Sequence, residues 1–327
     1  MRNTRNIISL LCTIPAVALM HAPASHAQSY PDRPVRVLVA QSAGGGTDSV
    51  ARLITQKLAD ALGQTFVVDN RPGAGGNIAS DLVAKSAPDG YTLVMGTIGT
   101  HAINATLFPK LPYDPIRDFA AVAFVVDADG LLVAHTSVEA NTVTELVALA
   151  KAKPGVLNYA SAGPGTTSHL AAEIFKQRTG TQITHIPYKG NVPALLDVVA
   201  GNAQISFATL ATVMPHVKSG RLKPLGVLGA NRSAALPGVP TIAEAGVPGF
   251  DVGNWTALFA PAGTPAPVVA KLNAEVLRVM KLPEIQARMV DEGMRTTAMT
   301  PKQFGDFVQG EVKRWGEVVK RVGVTAE

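Results

Sequence analysis

After Pro31-Asp32-Arg33-Pro34, the nearly continuous apolar run Val35-Arg36-Val37-Leu38-Val39-Ala40 predicts a buried strand. Val50, Leu53, Ile54, Leu58 and Leu62 then recur at helical spacing up to Gly63. Thr65 to Asp69 predicts a second strand. A helix carrying Leu82 and Val83 follows Gly75-Gly76, Asp89-Gly90 turns the chain, and Tyr91 to Met95 predicts a third strand. Alternating strands and helices imply a parallel sheet. The same rhythm restarts with a helix over Val143 to Lys151, a strand over Leu157 to Ala160 and a helix over Thr166 to Gln177. It continues with a strand over Ile183 to Tyr188, a helix over Val192 to Val199 and a strand over Gln204 to Ala208. Two apolar stretches, Leu131 to Ala134 and Ala257 to Ala260, belong to neither run and are read as paired crossover strands. The expected architecture is α/β with two lobes, each a mostly parallel sheet flanked by helices. Lobe I takes residues 28–129 and 253–327, ending with helices over Pro267 to Met280 and Pro301 to Val322, and lobe II takes 130–252.

The N-terminus has a different pattern. Arg2 and Arg5 precede an apolar run from Ile7 to Met20, and Ser25-His26-Ala27 places small residues three and one positions before a cut at Gln28. Residues 1–27 therefore read as a cleavable secretory signal, too short in its apolar part for a membrane span of about 20 residues. The single cysteine, Cys12, lies inside that segment, and Leu11 before it is too large for a lipoprotein cleavage site. The expected mature chain has 327 − 27 = 300 residues, no cysteine and no later stretch approaching a membrane span, so the reading is an exported, soluble protein. The net charge of +5 (29 basic, 24 acidic) falls to +3 once Arg2 and Arg5 leave, with no basic cluster, which argues against a nucleic-acid partner. Gly at 30 and Pro at 23 of 327 residues are abundant without a collagen period, and 47% hydrophobic content is too high for disorder.

Much of the glycine sits in strand-to-helix loops. Ser42-Ala43-Gly44-Gly45-Gly46-Thr47-Asp48-Ser49 and Ser161-Ala162-Gly163-Pro164-Gly165-Thr166-Thr167-Ser168 agree at six of eight positions, one copy in each expected lobe. Such loops lie at the carboxyl ends of strands, where ligands bind. The helix starting there carries unpaired N–H groups and a partial positive charge that hold a carboxylate or phosphate without Lys or Arg. Either loop alone also fits an ordinary capped turn, with Thr47 and Thr166 or Thr167 as caps. Duplication is what favours a ligand between them. The Gly96-Thr97-Ile98-Gly99-Thr100-His101 loop offers a third set of small residues and hydroxyls. Asp48 either binds a ligand amine or stabilises its helix dipole; Tyr188, in His185-Ile186-Pro187-Tyr188-Lys189-Gly190, either walls the ligand or packs in the core, and Asn254-Trp255 is equally ambiguous. His101, His135, His169, His185 and His216 show no metal-ligand spacing, so no metal is expected. Two enzymatic readings compete. Gly44 to Ser49 with Asp69 resembles a dinucleotide fingerprint that lacks its third glycine, and Ser161 with Gly163 gives half a nucleophile elbow, with Tyr159 where its first glycine belongs.

The blocks Val39 to Asp48, Asp69-Asn70-Arg71-Pro72-Gly73-Ala74-Gly75-Gly76-Asn77 and Ala87-Pro88-Asp89-Gly90-Tyr91-Thr92-Leu93 resemble the Bug-type (TctC-like) extracytoplasmic solute receptors. So do Ala160 to Leu170, His185 to Gly190, and Leu236 to Gly246 leading to Trp255 and Ala260-Pro261-Ala262-Gly263-Thr264-Pro265. The resemblance covers the mature chain in order. It implies a two-lobed periplasmic binding protein (type II-like) and a monomeric, non-enzymatic receptor without cofactor. Such a receptor closes on a small carboxylate (a di- or tricarboxylate, acidic amino acid or aromatic acid) and serves the large and small membrane subunits of a tripartite tricarboxylate transporter. A nicotinamide-dependent oxidoreductase and a ligand-presenting sensor partner are the alternatives. Carried over by position, the ligand contacts are Ser42, Gly45, Gly46, Thr47, Asp48, Thr97, Gly99, Thr100, Ser161, Gly165, Thr166, Thr167 and Tyr188. The family's proline before the first-loop glycines is replaced here by Gln41-Ser42-Ala43.

Overall fold

The computed structural model describes residues 30–325, and the expected signal, residues 1–27, lies outside the described residues. The chain builds β1 (Val35–Val39), α1 (Gly46–Leu62), β2 (Phe66–Asn70), α2 (Asn77–Ala84) and β3 (Thr92–Thr97). A turn of π-helix (Gly99–Ile103) leads into α3 (Asn104–Leu107), and β4 (Phe119–Ala128) follows. The middle of the chain forms β5 (Gly130–His135), α4 (Val143–Ala152), β6 (Asn158–Ser161), α5 (Thr167–Thr179) and β7 (Thr184–Pro187). It continues through α6 (Asn191–Val199), β8 (Ile205–Thr209), α7 (Leu210–Lys218) and β9 (Leu222–Val227). The last part forms β10 (Trp255–Pro261), α8 (Ala266–Met280), α9 (Pro283–Asp291), β11 (Met294–Arg295) and α10 (Pro301–Val322). No helix among the described residues is long and apolar enough to cross a membrane.

These elements form two helix-flanked sheets, a six-stranded one in the order β11-β4-β10-β3-β1-β2 and a five-stranded one in the order β7-β6-β8-β5-β9. Both are mixed, which corrects the expectation of mostly parallel sheets. β1 runs parallel to β2 and β3, whereas β10 runs antiparallel to β3 and β4. In the second sheet β6 is parallel to β7 and β8, and β5 is antiparallel to β8 and β9. β5 and β10, by which the chain enters each sheet after a crossing without a helical return, are antiparallel to both neighbours, and the short β11 is antiparallel to β4. A second correction concerns pairing. Leu131 to Ala134 and Ala257 to Ala260 do not pair with each other, because each lies inside its own sheet. The strand that sequence reading passed over, β4, is the partner of β10, and the outward crossing is a single residue, Asp129.

That crossing is firmly held. The Asp129 amide donates to the Gly293 carbonyl, its carbonyl accepts from Leu210, and Arg295 grips Asp129 and Asp127 at 2.6 Å each. Apolar residues of α1 and α8 (Ile54, Leu58, Leu272, Val276) cover one face of the larger sheet. Its other face joins a cluster that continues into the second lobe, from Leu38, Phe124, Phe259 and Trp315 to Phe175, Phe207 and Phe250. Helix α10 closes this cluster along a single apolar face (Phe304, Val308, Trp315, Val319), begins with a Thr300–Gln303 capping box and ends on left-handed Gly323. From it, the buried Glu311 carboxylate accepts the indole N–H groups of Trp255 and Trp315, at 2.9 and 3.0 Å.

Candidate functional site

The carboxyl ends of both sheets face one narrow cavity between the lobes. Gln41, Thr47 and Thr97 line it from the larger sheet. Ala162, Thr166, Thr167, Ser168, Asn191, Phe207, Ala208, Thr209 and Leu228 line it from the smaller one, and Gly130 and Asn254 do so at the two crossings. Four helix starts converge here: α1 at Thr47, α5 at Thr166 and Thr167, α6 at Asn191, and α7, whose N-cap is Thr209. No charged side chain is among the described lining residues. Positive potential comes instead from helix dipoles and first-turn amides without intrahelical partners, and hydroxyls and carboxamides add donors. The arrangement suits an anion that accepts many hydrogen bonds.

Of the thirteen residues singled out from sequence, Thr47, Thr97, Thr166 and Thr167 line this cavity. The others stand behind it or between the lobes. Asp48 is buried, and its carboxylate accepts from the Gly44 amide at 2.9 Å, Asn70 Nδ2 at 2.9 Å and Arg52 Nε at 3.0 Å. These bonds outweigh the burial that opposes them and hold its pKa below the usual carboxylate value. Asp48 thus braces the glycine loop. Thr47 does not cap α1; that position belongs to Gly45, which caps through no side chain. Ser42 carries a buried hydroxyl pressed toward Gly190, and Gly46 abuts Thr209. The Thr100 hydroxyl accepts the Thr97 amide at 2.9 Å and contacts His101 Nδ1 at 2.8 Å, so it shapes the turn that presents Thr97. Gly99 and Gly165 meet each other across the lobes. The Tyr188 hydroxyl donates to Asp197 of α6, and Tyr188 does not line the cavity.

Thr166 is the cap predicted for its helix, accepting the His169 amide and donating to the Gly163 carbonyl at 2.6 Å. Thr166→Val is therefore expected to cost about 1 kcal/mol of stability in denaturant titration, as cap losses do. Ser161 lies beneath this loop. Its fully buried hydroxyl accepts the Gly163 amide at 3.0 Å and meets His185 Nε2 at 2.6 Å. The half nucleophile elbow thus has a histidine beside it but no opening to the cavity, and the nearby Glu173 is engaged by Tyr159 and Lys176. Burial, and after it the stacked His169, lowers the His185 pKa to about 4, so the imidazole beside the loop is neutral at pH 7. Asp69 of the dinucleotide reading is tied to Arg36 and Arg71 and does not line the cavity.

Gln41, Asn191 and Thr209 were not found from sequence. A uniform rule would have found the last two, since both stand at strand-to-helix junctions like the loops that were chosen. Asn254 resolves toward the cleft. It accepts from Thr167 at 3.3 Å and donates to Thr209 at 3.1 Å, linking α5 to the start of α7.

Comparison with known proteins places this geometry among solute receptors. Residues 50–324 match the family model described as "Tripartite tricarboxylate transporter family receptor". The chain is 36% identical over 322 residues to the protein BugT of Bordetella pertussis, covering 98% of each chain. A solved structure of an R. palustris protein with adipate superposes with a TM-score of 0.88 at 37% identity, covering 90% of this chain and 99% of that one. MatC of Rhodopseudomonas palustris with bound malate superposes at 0.85 with 38% identity, covering 89% and 100%.

Proposed function

Because the chain belongs to the tripartite tricarboxylate transporter receptor family, we propose that it captures a short dicarboxylate in the cavity between its lobes and presents it to the large and small membrane subunits of such a transporter. The observation that carries this reading is the cavity wall: hydroxyls, carboxamides and four helix starts facing one another across the lobes, with no charged side chain among its described residues. One carboxylate sits against Thr47 and Thr97 and the other against Thr166, Thr167 and Asn254, while Phe207 and Leu228 cover the methylene chain. Adipate and malate, bound by the similar proteins, are ligands of this kind. Asp48 and Thr100 act as supports of the contact residues. Residues 1–27 serve as a cleaved export signal, the mature protein works in the periplasm, and the lobes divide as 28–129 with 253–327 and 130–252.

The test is a thermal-shift panel of C4 to C6 dicarboxylates, citrate, glutamate, benzoate and NAD. A ligand that binds only the native state raises the midpoint, by about 2.7 kcal/mol of stabilisation at a hundredfold excess over Kd. A shift with a C4 to C6 dicarboxylate and none with NAD is expected. A shift with NAD alone would overturn the reading.

A further inference from the structure

Three glycines of the larger-sheet lobe and the loop facing it meet with almost no space between them. A Cβ at Gly75 would stand 2.6 Å from the Pro164 carbonyl oxygen, one at Gly165 would stand 2.4 Å from the Phe108 ring, and one at Gly99 would stand 3.0 Å from the Gly165 carbonyl oxygen. Gly75 and Gly165 have φ of +64° and +80°, so their backbone alone calls for glycine. Gly99 is different. It opens the π-helical turn without a left-handed φ, and its other close neighbour, Thr97 Oγ1, is at an ordinary 3.4 Å. Only the opposite lobe crowds a side chain there, and a Cβ would require the Gly165 carbonyl to give way by a few tenths of an ångström. Among the described residues no hydrogen bond joins Gly75, Gly99 or Phe108 to the 163–166 loop, and the seam leaves Asn104 Oδ1 buried without a partner. The seam is therefore a steric stop, which limits how closely these two loops approach.

We infer that Gly99 is an affinity-determining residue that never touches the ligand: its missing side chain sets how closely the two lobes approach. The inference rests on the reading that the lobes close on a carboxylate. Gly99 and Thr97 share one turn, and the 163–166 loop leads into α5, so a side chain at position 99 separates the Thr97 hydroxyl from the first-turn amides of α5, which must reach the same small anion. Hydrogen bonds to a carboxylate tolerate only a few tenths of an ångström before they weaken.

The experiment compares the full mature chain with Gly99→Ala, Gly99→Val and, as control, Gly310→Ala, whose Cβ meets nothing within 4 Å. Malate and adipate are titrated calorimetrically, the unliganded melting midpoint is recorded, and small-angle scattering gives the radius of gyration with and without ligand. Affinity is expected to fall about threefold or more for Ala and about thirtyfold or more for Val, at tenfold per 1.4 kcal/mol. Both unliganded midpoints should stay within about 2 °C of the parent, and Gly310→Ala should bind like the parent. Unchanged affinity in both variants overturns the inference, as does a loss matched by an equal loss of unliganded stability. Should the parent bind neither malate nor adipate, the comparison uses whichever of the other C4 to C6 dicarboxylates, citrate, glutamate or benzoate raises its melting midpoint, and the dicarboxylate reading fails by itself where none of the C4 to C6 series does so. With that ligand bound, a larger radius for Gly99→Val than for the parent supports the inference, and equal radii overturn it.

Discussion

Thr47→Val is expected to raise the dissociation constant for a short dicarboxylate by about ten- to a hundredfold, because a hydrogen bond to a charged partner is worth about 1.5–3 kcal/mol. Valine keeps the shape of the side chain and removes its hydroxyl. Thr47 lies inside α1 behind the Gly45 cap and lines the cavity, so its hydroxyl bonds no helix amide as an N-cap. The loop bracing runs through Asp48, bonded to Gly44, Asn70 and Arg52, and is left intact. The melting midpoint should therefore move by less than about 2 °C, while Thr166→Val, which removes a true cap, lowers stability and affinity together. Calorimetric titration beside thermal melting separates the two cases. Parent-like affinity for Thr47→Val would remove α1 from the binding account.

Acidification from pH 7 to 4.5 is expected to destabilise the unliganded protein by about 2–3 kcal/mol through His101 alone, at 1.36 kcal/mol per pH unit. His101 is fully buried, stacked on Phe259 at a centroid distance of 3.8 Å and edge-on to Phe119, and burial lowers its pKa to about 3. The unfolded chain takes up a proton on this residue below about pH 6.5, and the folded chain refuses it until about pH 3. The unfolded state then binds more protons, so stability falls as the pH drops through that window. His185, lowered to about 4, acts in the same direction but more weakly because it is partly exposed. Asp48 and Glu173 have depressed values and add their losses only in the carboxylate range. His101→Asn, which stays uncharged and can still reach Thr100, should lower the midpoint at pH 7 yet flatten its dependence between pH 6.5 and 4.5. An equally steep dependence in that variant would place the titrating group elsewhere.

Sequence pattern disclosed most of the βα frame. Helix α10 was readable from end to end because its apolar spacing, its Thr300 and Pro301 start and its Gly323 stop agree. Strand β4 escaped because four of the ten residues of Phe119 to Ala128 are alanine, so its apolar run, unlike the Val-rich β1, is not distinguished from a buried helix segment. Helix α7 carries Pro215 in its interior and β9 carries Pro224, both of which argue locally against the elements they occupy. Pro224 is tolerated because β9 is an edge strand with a register shift beside it. The site divided along another line. Residue type identified loops rich in donors and bare backbone, but not which side of a loop faces the cavity. The hydroxyls of Ser161 and Thr100 turn inward to hold their own loops, and Gly99 and Gly165 serve the approach of the lobes. Asn254 and Thr209 complete the wall only because the return crossing passes the end of β8.

The most direct test of the central claim, that helix starts from both lobes hold a carboxylate without a cationic side chain, is a crystal structure of the mature chain with malate. The account predicts carboxylate oxygens within about 3 Å of the Thr47 amide or hydroxyl on one side and of the Thr167 and Ser168 amides on the other. Malate paired with an arginine or lysine outside this cavity, for example with Lys218 in the groove beside Gly44 to Gly46, would contradict it.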